Sequence, residues 1–201
     1  MFDFIGTHGT CRTNADSICR SNFLPSSGRH GRGIYLWNAT TDTLDDAILL
    51  ASSYAEHSRT SGKFRGKNDD SITVLICETS LPKENFIDLE SIEWANALRA
   101  YILKYESKLR ALTKESQVKQ ELSRIYDGFL AELEELANAK ILIYHVKAAT
   151  PPPYRGDRSL KGERSLGFNW ATQFAASCLV VRDKSVIPLT AIRKLKNFLK
   201  R

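Results

Sequence analysis

The stretch FIGTHGTCRTNADSI (residues 4–18), followed by GRGIYLW (31–37) and LLASSYAEHS (49–58), decides how this chain is read. Residues 2–7 read as a short strand that runs into His8-Gly9-Thr10. Residues 13–22 then read as a helix, because Ala15, Ile18 and Cys19 recur at helical spacing. PSSGRHGRG (25–33) is rich in turn residues. Residues 34–37 are strand-like, since aromatic and β-branched side chains suit a pleated surface. Residues 45–57 read as a second helix carrying Tyr54, residues 61–70 as an exposed loop, and SITVLICET (71–79) as a buried strand.

The next block changes character. Trp94, Leu98, Tyr101, Ile102, Tyr105, Leu109 and Leu112 recur at steps of three and four, as do Val118, Leu122, Ile125, Tyr126, Phe129, Leu130, Leu133 and Leu136. Residues 91–138 are therefore expected to form an inserted helical hairpin that packs on the core or presents a face to a partner, with Ser91 as N-cap and a break at residues 113–116, a single long helix being the alternative. KILIYHVKA (140–148) returns to strand. TPPPYRGDRSLKGERSLGFNW (150–170) reads as a long surface loop, since three successive prolines exclude helix. A last strand at 177–182 and a basic segment at 187–201 follow. The expected class is α+β, a single domain over residues 1–201 with 91–138 inserted.

Composition sets further limits. The 201 residues, 42% of them hydrophobic, are enough to bury a substantial core. Neither a cleavable apolar leader nor an 18-residue apolar run is seen, so a soluble cytoplasmic protein without a membrane partner is expected. Cys11, Cys19, Cys77 and Cys178 show no CxxC pairing and no metal-ligand spacing with the four histidines, so free thiols and no metal are expected. The net charge of +6 is uneven: residues 139–201 carry 13 Lys and Arg against 3 Asp and Glu, whereas residues 1–90 carry 9 against 12. That polarity favours a polyanionic partner such as nucleic acid, or an acidic protein chain.

The order of motifs in the first sixty residues resembles the poly(ADP-ribose) polymerase-like, diphtheria-toxin-related ADP-ribosyltransferases of bacterial or phage type. His8-Gly9-Thr10 with Asn14 is similar to the first motif of that family. GRGIYLW, with Gly33 and Tyr35, is similar to its second, and Tyr54 matches its second stacking tyrosine. VLICETSLPKENFIDL (74–89) and CLVVRDKSVIPL (178–189) resemble later strands, so the likeness covers roughly residues 1–90 and 140–192. It implies two small packed β-sheets forming a cleft for NAD as co-substrate, with no metal.

The resemblance also implies roles. Gly9 would hold the nicotinamide carboxamide through its backbone N–H and C=O, a close approach that suits glycine. Tyr35 and Tyr54 would sandwich the cationic ring, each contact contributing about 0.5–2 kcal/mol. His8 would fix a ribose hydroxyl, and Thr10 and Asn14 the adenosine ribose and adjoining groups. The chain departs from the family where many relatives carry glutamate, because Cys178 stands there. A thiol is a poor substitute for a carboxylate beside an oxocarbenium-like centre. Mono-transfer is therefore expected rather than polymerisation, with His8, Tyr35 and Gln173 as catalytic residues and Glu163 a weaker candidate. The loop arginines Arg155, Arg158 and Arg164 would receive the acceptor, expected to be RNA or DNA, with protein the close rival. By family analogy a toxin of a toxin–antitoxin or phage-defence system, with an antitoxin partner, fits the size and architecture. An NAD glycohydrolase and an inactive NAD-binding or ADP-ribose-binding relative are the other readings.

Overall fold

The computed structural model describes residues 1–151 and 176–195. Strand β1 (Phe2–Cys11) runs directly into helix α1 (Arg12–Ser21), and β2 (Ser26–Gly28) forms a hairpin with β3 (Gly31–Ala39). Helix α2 (Leu44–Thr60) leads to β4 (Ile72–Leu81) and the short β5 (Phe86–Asp88). Three helices follow, α3 (Ile92–Leu103), α4 (Glu106–Arg110) and α5 (Glu115–Ala137), and then β6 (Ile143–Ala148), β7 (Ala176–Val181) and β8 (Ile192–Lys194).

The α+β class expected from the sequence is seen. The strands pair in the order β5-β6-β7-β3-β1-β4-β8, with β2 added to β3, and only β5–β6 is parallel. The expectation of two separate small sheets is corrected here: the two halves form one hydrogen-bonded path. The junction is narrow, however. β1 and β3 pair only at Ile5–Ala39, Gly6–Asn38 and Thr7–Trp37. Beyond Thr7, β1 stays with β4 as far as Cys11, while β3 stays with β7 as far as Ile34. The sheet is thus continuous at one end and split at the other.

Strand alternation sends successive side chains to opposite faces. On one face Trp37, Val74, Ile76, Tyr144, Val146, Cys178 and Val180 form a core with Ala47, Ile48 and Ala51 of α2. Leu98 and Tyr101 of α3 and Ile125, Phe129 and Leu130 of α5 enter the same core, so the residue 91–138 block packs on the sheet. On the other face Phe4, Ile34, Leu36, Leu75, Cys77, Ile143, Leu179 and Val181 pack with Ala15 of α1, Phe23 and Ile187.

Two local details differ from the sequence reading. Ser91 is the N-cap of α3, but its hydroxyl donates to the Asp88 carbonyl at 2.8 Å instead of capping the helix. The helical block breaks at Lys104–Tyr105 as well as between Ala111 and Lys114, giving three helices where two were expected. Helix α5 ends on Asn138 in the left-handed region, φ 47°, a position that asparagine tolerates well.

Candidate functional site

A cleft of about 560 Å³ opens where β1 and β3 part. It is lined by His8, Gly9, Thr10, Asn14, Gly33, Tyr35 and Tyr54, so all seven residues assigned to cofactor binding from the sequence come together. They arrive from β1, α1, β3 and α2. Gln173, Glu163, Arg155, Arg158 and Arg164 lie outside the described residues.

Ladder parity explains what the split exposes. The Val74 carbonyl accepts from the Leu195 N–H at 2.9 Å, so Val74 turns its backbone groups towards the β8 side. Its partner across the ladder is Gly9. In an antiparallel pair both polar groups of a residue point the same way, so Gly9 directs its N–H and C=O away from β4. They face the gap that β3 has vacated. The amide donor and acceptor expected for carboxamide recognition are therefore set at the mouth of the split.

The glycine has a second reason that the sequence did not reveal. A Cβ at position 9 would lie 1.7 Å from the Ala51 carbonyl oxygen of α2. The helix is held there by the buried Thr7 hydroxyl, which donates to the Ala47 carbonyl at 2.7 Å. Gly9 thus serves helix packing on one side and leaves its backbone open on the other.

His8 bridges the split. Its Nδ1 lies 3.0 Å from the Tyr35 carbonyl, which only accepts, so Nδ1 carries the proton. Burial lowers the pKa of the imidazole, so it is neutral and Nε2 keeps a free lone pair. The ring packs edge-on against Phe23, with centroids 5.2 Å apart. A neutral imidazole presenting Nε2 suits acceptance of a hydroxyl hydrogen bond.

Tyr35 is half-buried, and its hydroxyl donates to the Gly31 carbonyl at 2.6 Å, fixing the turn before β3. Burial is the main cause that raises the pKa of its phenol. Tyr54 is 41% exposed on α2, with the Lys63 ammonium 5.4 Å from the ring centre. Asn14 donates to the Thr10 hydroxyl at 3.3 Å, linking α1 to the end of β1.

Several lining residues escaped the sequence reading. Trp37 lies two positions after Tyr35 on the same face, a signal that strand periodicity did contain. Phe23, Asn22 and Arg29 come from the α1–β3 connection, and Lys119 comes from α5. No local pattern announces Lys119, because only the packing of α5 on the β2–β3 hairpin carries it to the rim. The Asn22 backbone sits at φ 68°, and its side-chain amide donates to the Ile187 carbonyl at 2.7 Å.

Cys178 also lines the cleft, 3% exposed. Burial pushes its thiol up to about 12, so it is protonated at neutral pH and is no surrogate carboxylate. Among the described lining residues there is no Asp or Glu. In the native protein Cys178 is expected to resist iodoacetamide at about pH 8, because the thiolate is the reacting species. Mass mapping of the alkylated chain reads this directly, and labelling as fast as that of an unfolded thiol would overturn the assignment.

The basic polarity of the last third looks different in three dimensions. Six of its 13 basic residues are described, and five of them are ion-paired. Lys140 and Arg182 meet Glu134, Lys147 meets Glu90, Arg193 meets Glu78 and Lys194 meets Asp16. These charges tie the end of the chain to the body rather than forming a bare basic face.

Among the described residues no helix is long and apolar enough to cross a membrane. Comparison of the chain with protein-family models, curated proteins and solved structures finds no match.

Proposed function

We propose that the cleft binds NAD and that the protein is a mono-ADP-ribosyltransferase acting on a macromolecular acceptor. The observation that carries this reading is the Gly9 backbone, turned into the gap between β1 and β3 beside a neutral His8 and the ring of Tyr35. A donor and acceptor on one residue match a primary carboxamide, and aromatic walls match a flat cationic ring. Lys119 at the rim, with Arg29 beside it in an exposed pair with Glu115 at 3.4 Å, supplies positive charge for a diphosphate. Residues that hold both ends of a dinucleotide position its glycosidic bond for displacement by an acceptor nucleophile.

The surplus of basic residues in 139–201 supports nucleic acid as the acceptor through its net positive field rather than through the five ion-paired side chains. A second reading is favoured by one observation, the lack of a carboxylate among the described lining residues. It is an NAD-binding or ADP-ribose-binding module without chemistry.

Labelled NAD incubated with the protein and cell extract separates the readings. Label that enters the macromolecular fraction and is released by ribonuclease or deoxyribonuclease supports transfer to nucleic acid; release by protease instead names a protein acceptor. Nicotinamide release without transfer would make it a glycohydrolase, and binding without release a module. Tyr54→Ala is the cleanest variant, since the side chain is exposed. It is expected to weaken NAD binding about tenfold, the loss of one stacking and cation–π contact. Unchanged binding by calorimetry would remove Tyr54 from the site.

A further inference from the structure

The face of the sheet opposite Tyr35 and Cys178 carries a row of four polar side chains on four adjacent strands. Asp88 on β5, His145 on β6, Ser177 on β7 and Asn38 on β3 lie side by side in the order β5-β6-β7-β3. Asp88 Oδ1 is 2.8 Å from His145 Nδ1, and His145 Nε2 is 2.7 Å from Ser177 Oγ. Asn38 Nδ2 donates to the same Oγ at 2.9 Å. Their neighbours on this face are apolar, among them Ile143, Leu179, Leu36 and Val181. None of the four lines the cleft.

The hydrogen bonds run in one direction. The Asp88 carboxylate only accepts, so His145 Nδ1 carries a proton and donates to it. In the neutral imidazole Nε2 is then free to accept the hydrogen of Ser177 Oγ, which itself accepts from the Asn38 amide. The Asp88 carboxylate also accepts from the Glu90 N–H at 3.0 Å, which holds it in place. A hydroxyl within general-base reach of an imidazole, itself oriented by a carboxylate, is the arrangement that activates a serine.

We propose that Asp88, His145 and Ser177 form a second reactive site that hydrolyses carboxylic esters with small acyl groups. Ser177 Oγ attacks the ester carbonyl carbon as His145 Nε2 takes its proton. The Asn38 amide, beside Ser177 Oγ at 2.9 Å, is the donor this row offers the developing oxyanion. Collapse breaks the carbonyl–alkoxy bond, and the leaving oxygen takes the proton from His145. Water, deprotonated by His145, then attacks the acyl-serine ester and releases the carboxylic acid, with the proton returned to Ser177. Asp88 touches neither substrate nor acyl group; it is a positioning residue. Ser177 is half-buried, and the His145 side chain is 20% exposed, so the row reaches the protein surface.

The test uses the full chain with p-nitrophenyl acetate and, separately, a fluorophosphonate. Expected are saturable release of p-nitrophenolate and a phosphonyl adduct on the peptide containing Ser177, both lost in Ser177→Ala. His145→Gln keeps the polar shape without the base and is expected to lower kcat at least ~100-fold. Asp88→Asn is expected to lower kcat while KM stays unchanged, a split that a merely structural role does not produce. Tyr54→Ala leaves this hydrolysis intact, so failure here and failure of the NAD reading are separately visible. Absence of the Ser177 adduct, or hydrolysis that persists in a folded His145→Gln protein, overturns the proposal.

Discussion

Gly9→Ala is expected to cost about 3 kcal/mol of stability, the upper part of the usual range for overpacking, and to remove NAD binding with it. The added methyl would meet the carbonyl oxygen and carbon of Ala51 at 1.7 and 2.4 Å. Both are backbone atoms, so no flexible side chain yields, and α2 itself has to move. That displacement breaks the Thr7–Ala47 bond and carries Tyr54 away from the cleft. Gly66→Ala is the control: nothing lies within 4 Å, and only its φ of +81° is unfavourable, costing about 1 kcal/mol. Urea denaturation midpoints compare the two. A Gly9→Ala protein as stable as the control would show that α2 is not seated on β1 as described.

Acid is expected to destabilise the protein before its carboxylates are titrated. Burial chiefly, assisted by the Arg29 guanidinium, lowers the His30 pKa to about 4. Burial also lowers that of His8. Between about pH 6.5 and 4 the unfolded chain binds protons at these imidazoles that the folded chain refuses. Stability is therefore complete above the unfolded value and falls as the pH drops through this window. His30 alone contributes on the order of 3 kcal/mol over the full interval. His30→Gln should flatten that part of the stability profile measured by chemical denaturation. A profile equally steep in the variant would assign the acid sensitivity elsewhere.

The local signals in the sequence were strong where one segment carries its own pattern. The strand at residues 72–81, the amphipathic helices and the turn-rich connection before β3 were all legible from periodicity and turn residues. Even so, β1 runs four residues further than its apolar pattern suggested, because His8, Gly9 and Thr10 keep their pairing with β4 after leaving β3. What no window of sequence contains is the register between distant strands. The narrow β1–β3 junction turns two expected sheets into one, and it depends on three residue pairs between segments thirty residues apart.

The candidate site divides in the same way. His8, Gly9, Tyr35 and Tyr54 were readable because their motifs are compact. Lys119 was not, since it reaches the rim only through the packing of a helix from the inserted block. The row from Asp88 to Asn38 was invisible for a stronger reason: each of its members comes from a different strand, and alternation alone does not tell which strands are neighbours.

The place of β7 has a consequence for how the molecule is made. It lies between β6 and β3, yet it is supplied by residues 176–181, long after its partner β3 has left the ribosome. Until then β3 offers a bare edge and, among the described residues, the sole strand paired with β6 is the three-residue parallel β5. A nascent or truncated chain therefore lacks both the Cys178 wall of the cleft and the Ser177 hydroxyl. Unpaired edges of this kind invite aggregation and proteolysis. Neither the cleft nor the polar row forms gradually during synthesis; each waits for the insertion of one late, central strand.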